Sequence, residues 1–356
     1  MGDPVKVGIV GIGQISRQYL KTLPRLANLE LTAVADLDPS RTVPGVRSLT
    51  PTELYAADDV DIVLNLTIPA AHQDVALAAI AAGKSVYGEK PLAPTTKQAR
   101  EILDAAAQAG VAVGCAPDTV LGTGVQTARA VLDNGEIGRP IAATAFMTTP
   151  GHERWHPAPE FYYQPGGGPL LDMGPYYLTA LVTLLGPVCR VVGMSATPQA
   201  TRTTVAGKTF PVDVATHVTG VLEHANGALS TLLMSFDVWA ADLPRIEIYG
   251  TGGSLSVPDP NGFHGQVRIF RAGSESWADQ PESGGYPNAA RGYGLSDLAR
   301  AIRTGGSARA SGELAFHVLD VMESLLVAAE TGTSIAITSD VARPAPVPPG
   351  ARPEEF

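Results

Sequence analysis

Basic charge is in short supply, cysteine is nearly absent and no apolar run reaches membrane-spanning length; each shortage removes a class of function. Lys and Arg total 25 against 35 Asp and Glu, a formal net charge of −10 with a pI near 5.2. A nucleic-acid binder needs a basic stripe, and none is present. A membrane helix needs about 20 consecutive apolar residues, which the sequence nowhere supplies. Met1-Gly2-Asp3-Pro4 runs straight into Val5–Val10 without a basic leader, so the expectation is a soluble cytoplasmic protein. Cys115 and Cys189 have no metal-type spacing and read as buried thiols in a reducing compartment. Against these shortages stand 356 residues, 45% hydrophobic and 17% charged. That is enough for two domains with sizeable cores and too apolar for disorder.

The first 115 residues alternate short β-rich runs with helical segments. Strands are expected at Val5–Val10, Leu31–Ala35, Val60–Leu66, Ser85–Tyr87 and Val111–Cys115. A helix should open at Pro69 and close at Gly83, and Thr95 to Gln98 has the form of a capping box. Such alternation predicts right-handed crossovers and a doubly wound parallel sheet. After about residue 120 the pattern changes. Strands at 141–148, 188–197, 212–223, 228–236 and 267–270, joined by Asn226-Gly227 (a type I′ signal) and Gly250–Gly253, predict a mostly antiparallel sheet. Helices are expected at Leu295–Arg303 and Glu313–Thr331. The resulting partition is 1–120 for a dinucleotide-binding domain, 121–340 for an α+β substrate and oligomerisation domain, and 341–356 for a Pro-rich extended tail.

Gly11-Ile12-Gly13-Gln14-Ile15-Ser16 sits where the first strand turns into the first helix, and Asp36 ends the next strand. Gly11 permits a tight turn, Gly13 lets a pyrophosphate approach the backbone, and the helix start offers free N–H groups. Gly11, Gly13, Gln14, Ile15 and Asp36 are therefore candidate cofactor contacts. Asp36 favours ribose hydroxyls over a 2′-phosphate, so NAD(H) is preferred; nearby Arg41 softens that choice and leaves NADP(H) admissible. A plain structural turn, with Asp36 as a strand-end cap, is the alternative.

Glu89-Lys90-Pro91 follows the fourth strand, at the carboxyl edge where ligands of such sheets bind. An ammonium there can polarise a carbonyl or lower the pKa of a neighbouring acid; otherwise Lys90 is a surface lysine. Further on, Gly166-Gly167-Gly168 leads into Asp172 and Tyr176, four apart and so on one face of a helix that Pro175 should start or kink. The loop before it holds His152, Trp155, His156, Phe161, Tyr162 and Tyr163. His152, Trp155, His156, Tyr163 and the distant Arg291 are candidate substrate contacts, with loop packing as the alternative. The His and Glu of this loop match no metal template. His217, His224 and His264 read as sheet-surface residues and His317 as a core or edge histidine.

Taken in order, the Gly11–Ser16 turn, Thr67-Ile68-Pro69 with His72, Glu89-Lys90-Pro91 and the Gly166–Tyr177 stretch resemble the glucose–fructose oxidoreductase / inositol dehydrogenase / rhizopine-catabolism (Gfo/Idh/MocA) family. The resemblance extends weakly to Gly292–Ile302 and the 313–331 helix. It implies a Rossmann domain followed by an α/β domain whose open sheet often mediates oligomers, here a homodimer or homotetramer. It also implies NAD(P)-dependent oxidation or reduction of a secondary alcohol in a sugar or cyclic polyol. By resemblance Thr67, His72, Glu89 and Lys90 join the cofactor contacts, and Lys90 and Asp172 are catalytic. The family's acid/base histidine falls at position 176, where this chain has Tyr. A phenol titrates near 10, so either Tyr176 works with a cation such as Lys90, or it orients substrate while Lys90 handles the proton, or catalysis is lost. An NAD-using glycoside-cleaving enzyme and a non-catalytic dinucleotide-binding regulator stay open as other outcomes.

Overall fold

The alternating segments form a six-stranded, all-parallel sheet in the computed structural model, which describes residues 3–354. Its strands are β1 Val5–Val10, β2 Leu29–Ala35, β3 Arg47–Leu49, β4 Ile62–Asn65, β5 Ser85–Gly88 and β6 Val113–Cys115, in the order β3-β2-β1-β4-β5-β6. This is the dinucleotide-binding strand order, which reverses direction between β1 and β4. The connecting helices are α1 Ser16–Thr22, α2 Pro51–Ala56, α3 His72–Ala81 and α4 Thr96–Ala109.

Two of these elements carry no readable periodicity. β3 has three residues. α2 is held by a full capping box, in which Thr50 accepts from the Glu53 N–H at 3.3 Å and Glu53 accepts from the Thr50 N–H at 2.8 Å. At α4, Thr95 accepts from the Gln98 N–H, but Gln98 turns its amide to Gln73 instead of completing the box. The turn opened by Pro69 is a 3-10 turn, and the α-helix proper begins at His72.

The second unit is built on a nine-stranded sheet. Its strands include β7 Pro140–Thr148, β8 Val188–Ala196, β11 His217–His224, β12 Leu229–Ser235, β13 Ile246–Gly250, β14 Gly253–Val257, β15 Val267–Arg271, β16 Ala278–Gln280 and β17 Ile335–Ala336. The order is β16-β15-β14-β13-β7-β12-β11-β8-β17, antiparallel throughout except for the β7–β12 pair. A separate ribbon pairs β9 Thr201–Thr203 with β10 Thr209–Pro211. The β11–β12 connection is a three-residue loop, Ala225–Gly227, closed by His224 N–H to Ala228 O, and not the expected two-residue turn. Gly227 takes its left-handed position, at φ +84°.

Two helices of this unit are α5 Thr123–Asp133 and α6 Gly168–Leu185; α6 packs on β7, β11 and β12. Pro175 neither starts nor ends α6 but lies inside it. An internal proline costs about 3 kcal/mol; burial of Leu178, Leu181, Val182, Leu184 and Leu185 on the sheet offsets that cost.

The late helices are α7 Tyr293–Thr304 and α8 Gly312–Thr331. The expected linear partition does not match the packing. Residues up to Gly122, Gly285–Phe316 and those from Val347 onward form one compact unit, and Thr123–Gly284 with His317–Pro346 form the other. The Pro-rich tail is irregular, but Val347 is buried in the first unit; its last two residues lie outside those described. Two side chains also depart from expectation. Cys189 is exposed on β8 while Cys115 is buried. His224 is buried, with its ring between Gly186 O at 2.8 Å and Ser230 Oγ at 2.8 Å. His317 is the core histidine expected: its Nε2 accepts from the Val188 N–H and its Nδ1 meets Ser339.

Candidate functional site

In the first unit the chemistry gathers at the carboxyl edge of the parallel sheet. Gly11, at φ +98°, makes the turn out of β1, and a Cβ there would stand 2.8 Å from the Leu66 carbonyl. A Cβ at Gly13 would meet nothing within 4 Å, because the backbone there faces open space. Gln14 and Ile15 continue the turn, and Ile15 leaves the start of α1 without a side-chain cap. In front of this turn lies a cavity of about 520 Å³, lined by Ile12–Gln14, Ser16, Arg17 and the Ser40–Pro44 loop. The cradle fits a dinucleotide phosphate: bare backbone, a helix start without a side-chain cap, and room. Asp36 accepts from the Ile12 N–H at 2.7 Å and the Asp38 N–H at 2.9 Å, with Arg41 3.6 Å away. A carboxylate has about four acceptor sites, so capacity for ribose hydroxyls remains.

Glu89, Lys90 and their neighbours form a braced segment. Tyr19 donates to Glu89 Oε1 at 2.8 Å and the Lys90 N–H reaches Oε2 at 3.1 Å. Burial, and then the Glu89 charge, hold the Tyr19 hydroxyl well above the usual phenol range, so it stays a donor. His72, expected near the cofactor, braces two backbone carbonyls. Its Nδ1 lies 2.6 Å from Pro91 O and its Nε2 3.1 Å from Thr67 O. Burial lowers its pKa although both carbonyls work against that. A neutral ring has one N–H for two carbonyls, and the closer, that of Pro91, takes it. Thr67 gives its hydroxyl to Asn65 at 2.6 Å. Arg291 also turns inward, 3.5 Å from fully buried Asp118, which accepts from the Gly292 and Gly294 N–H groups. Desolvation raises the pKa of Asp118, with Arg291 opposing.

The second unit carries the other candidates. α6 begins at the glycines, beside a cavity of about 180 Å³ lined by Gly166–Gly168, Leu170, Leu171, Val214, Ala215, Val218 and Leu326. Asp172 and Tyr176 follow one turn apart on α6. The sequence does not pair Asp172 with any other residue, yet His152 Nε2 lies 3.0 Å from its Oδ2. Tyr163, expected against substrate, is instead fully buried: its hydroxyl accepts from the His152 N–H and donates to Glu153. Glu153 pairs with Arg202 of β9 at 3.2 Å, and Arg202 also holds Asp237. Trp155 is 64% exposed with its ring 5.2 Å from that of His152, and His156 is half-buried beside it. Lys90 thus belongs to the first unit and Asp172 and Tyr176 to the second. Among the described residues no group of three His, Cys, Asp or Glu is placed to hold a metal.

Residues 5–116 match the model of an oxidoreductase family with an NAD-binding Rossmann fold, and residues 125–256 that of the GFO/IDH/MocA C-terminal domain. The chain is 34% identical over 153 residues to an inositol 2-dehydrogenase of Klebsiella pneumoniae subsp. pneumoniae, covering 38% of this chain and 44% of that one. It is 35% identical over 177 residues to a 1,5-anhydro-D-fructose reductase of Ensifer adhaerens, covering 47% and 52%. It therefore spans about half the length of the curated relatives it matches. The fold is that of a levoglucosan dehydrogenase solved in complex with NADH, with a TM-score of 0.81 and 19% identity over 95% of this chain and 100% of that one.

Proposed function

Because the chain belongs to the GFO/IDH/MocA oxidoreductase family, we propose that it is an NAD(P)-dependent dehydrogenase or reductase acting on a secondary alcohol or ketone of a sugar, cyclic polyol or related ring. The observation that carries the reading is the β1–α1 turn: tight at Gly11, open at Gly13, and followed by Asp36 at the end of β2. Gly11, Gly13, Gln14 and Ile15 hold the pyrophosphate, and Asp36 the adenosine ribose. NAD(H) is preferred because the Asp36 carboxylate repels a 2′-phosphate; Arg41 beside it keeps NADP(H) admissible. The bound dinucleotide supplies the hydride acceptor or donor.

The chain's own groups handle the proton. In the oxidation direction Tyr176 or Lys90 takes the hydroxyl proton, and Asp172 hydrogen-bonds the substrate oxygen. Trp155 and His156 offer ring faces and edges to a hydroxylated ring. The free thiols suit a cytoplasmic location. The outward face of the nine-stranded sheet supports a homodimer or homotetramer.

The test is oxidation of a panel of inositols and sugars with NAD⁺, after NADH and NADPH titrations. Lys90→Ala and Tyr176→Phe are each expected to lower turnover about 100-fold or more while NADH still binds. Near-wild-type turnover in both variants would overturn the catalytic assignment.

A further inference from the structure

We propose that His152 is a positioning residue of the reaction, an imidazole that aims the Asp172 carboxylate from outside α6. The inference rests on the role given to Asp172 above. Three observations carry it. First, His152 Nε2 lies 3.0 Å from Asp172 Oδ2, a hydrogen bond between a loop residue and the helix that also bears Tyr176.

Second, the ring is fixed in place. Its centroid lies 4.4 Å from those of Tyr162 and Phe236 and 5.2 Å from that of Trp155. The His152 N–H is tied to the Tyr163 hydroxyl at 3.1 Å, which is bound in turn to Glu153. Glu153 is paired with Arg202, and Arg202 with Asp237, all from elements outside α6.

Third, His152 is only 8% exposed, and among the described residues its Nδ1 has no hydrogen-bond partner. A proton on Nδ1 would be an unpaired buried donor, which is costly. Nε2, which faces the carboxylate, is therefore the nitrogen whose proton is used, and that proton goes to Asp172. Because Nδ1 is enclosed, the ring does not meet substrate and acts through the carboxylate. One Asp172 oxygen is thereby held, which fixes the rotamer and the direction of the other.

The experiment uses the full chain. His152→Phe keeps a ring in the aromatic cage and removes the donor, whereas His152→Gln restores a donor at similar reach. The phenylalanine variant is expected to lose about 10- to 100-fold in kcat, with NADH affinity and melting temperature unchanged, and the glutamine variant to recover to within a few-fold of wild type. Full turnover in His152→Phe would overturn the proposal. So would equal losses in both variants accompanied by equal drops in melting temperature, which is the signature of packing alone. Protein carrying ¹⁵N-labelled histidine supplies a readout free of turnover. An Nε2-protonated ring signal is expected that vanishes in His152→Gln and moves in Asp172→Asn. A signal indifferent to Asp172→Asn sinks the pair. If wild type turns over none of the panel, the functional reading fails while this signal still decides the pair.

Discussion

Gly11 and Gly13 sit two residues apart in one turn and are glycine for different reasons. At Gly11 the constraint is internal: φ is +98° and a Cβ would press on the Leu66 carbonyl at 2.8 Å. At Gly13 a Cβ would meet nothing within 4 Å, which leaves open the space the proposed cofactor would take. Gly11→Ala is therefore expected to destabilise the fold by about 2 kcal/mol or more. Gly13→Ala should keep the wild-type melting temperature and weaken NADH binding about tenfold or more, since the methyl takes the place of a phosphate oxygen. Calorimetry and a fluorescence titration read the two effects separately. A Gly13→Ala protein that binds NADH as wild type does would remove the turn from the cofactor site.

At the scale of elements, the 151–163 loop is tied to α6 by the His152–Asp172 contact and to β9 by the buried Glu153–Arg202 pair. Removing Arg202 would leave the Glu153 and Asp237 carboxylates without their guanidinium in the protein interior, a loss of about 3–5 kcal/mol for a buried pair. His224, at the end of β11, is the element-level pH sensor. Burial pushes its pKa down to about 4, against the Gly186 carbonyl that favours the charged ring. A base with a lowered folded value takes up its proton first in the unfolded chain. Its contribution is therefore complete above the unfolded value near 6.5 and lost as pH falls from there to about 4. The loss amounts to about 3 kcal/mol. Urea titrations between pH 7 and pH 4.5 are expected to show this decline, and His224→Gln should flatten part of it. An unchanged slope in the variant would assign the decline to other groups.

At the scale of the whole molecule, the two units are interleaved along the chain, and the boundary between them falls within α8, after Phe316. One face of the second unit's sheet exposes neighbouring apolar side chains. Val192 of β8 pairs across with Val221 of β11, both exposed, and Met194 is 74% exposed on the same face. If this face joins copies of the chain, Met194→Asp shifts light scattering at micromolar concentration from dimer or tetramer toward monomer, with secondary structure unchanged. A wild-type protein that is already monomeric would rule the assembly out.

Much of the fold was legible because its signals are local. Five of the six parallel strands, the turn at Gly11–Ser16, the hairpin at Asn226-Gly227 and both late helices follow from runs, spacing and turn chemistry within a dozen residues. β3 and α2 escaped because three and six residues are too few to show a period. The site was legible in part for the same reason. Lys90, Asp172 and Tyr176 stand in readable local patterns, and the four-residue spacing of the last two became one face of α6.

The amino-acid order by itself determined the class of fold, the cofactor turn and the residue types offered for proton transfer, since backbone conformation and hydrophobic period depend on near neighbours. Only the tertiary structure decided which side chains meet. It buried Tyr163 as an anchor of its loop, set His72 between the carbonyls of Thr67 and Pro91, buried His224, and set His152 against Asp172. Each is settled by which buried polar atoms find partners once the chain has packed, and no run, period or turn signal records that outcome.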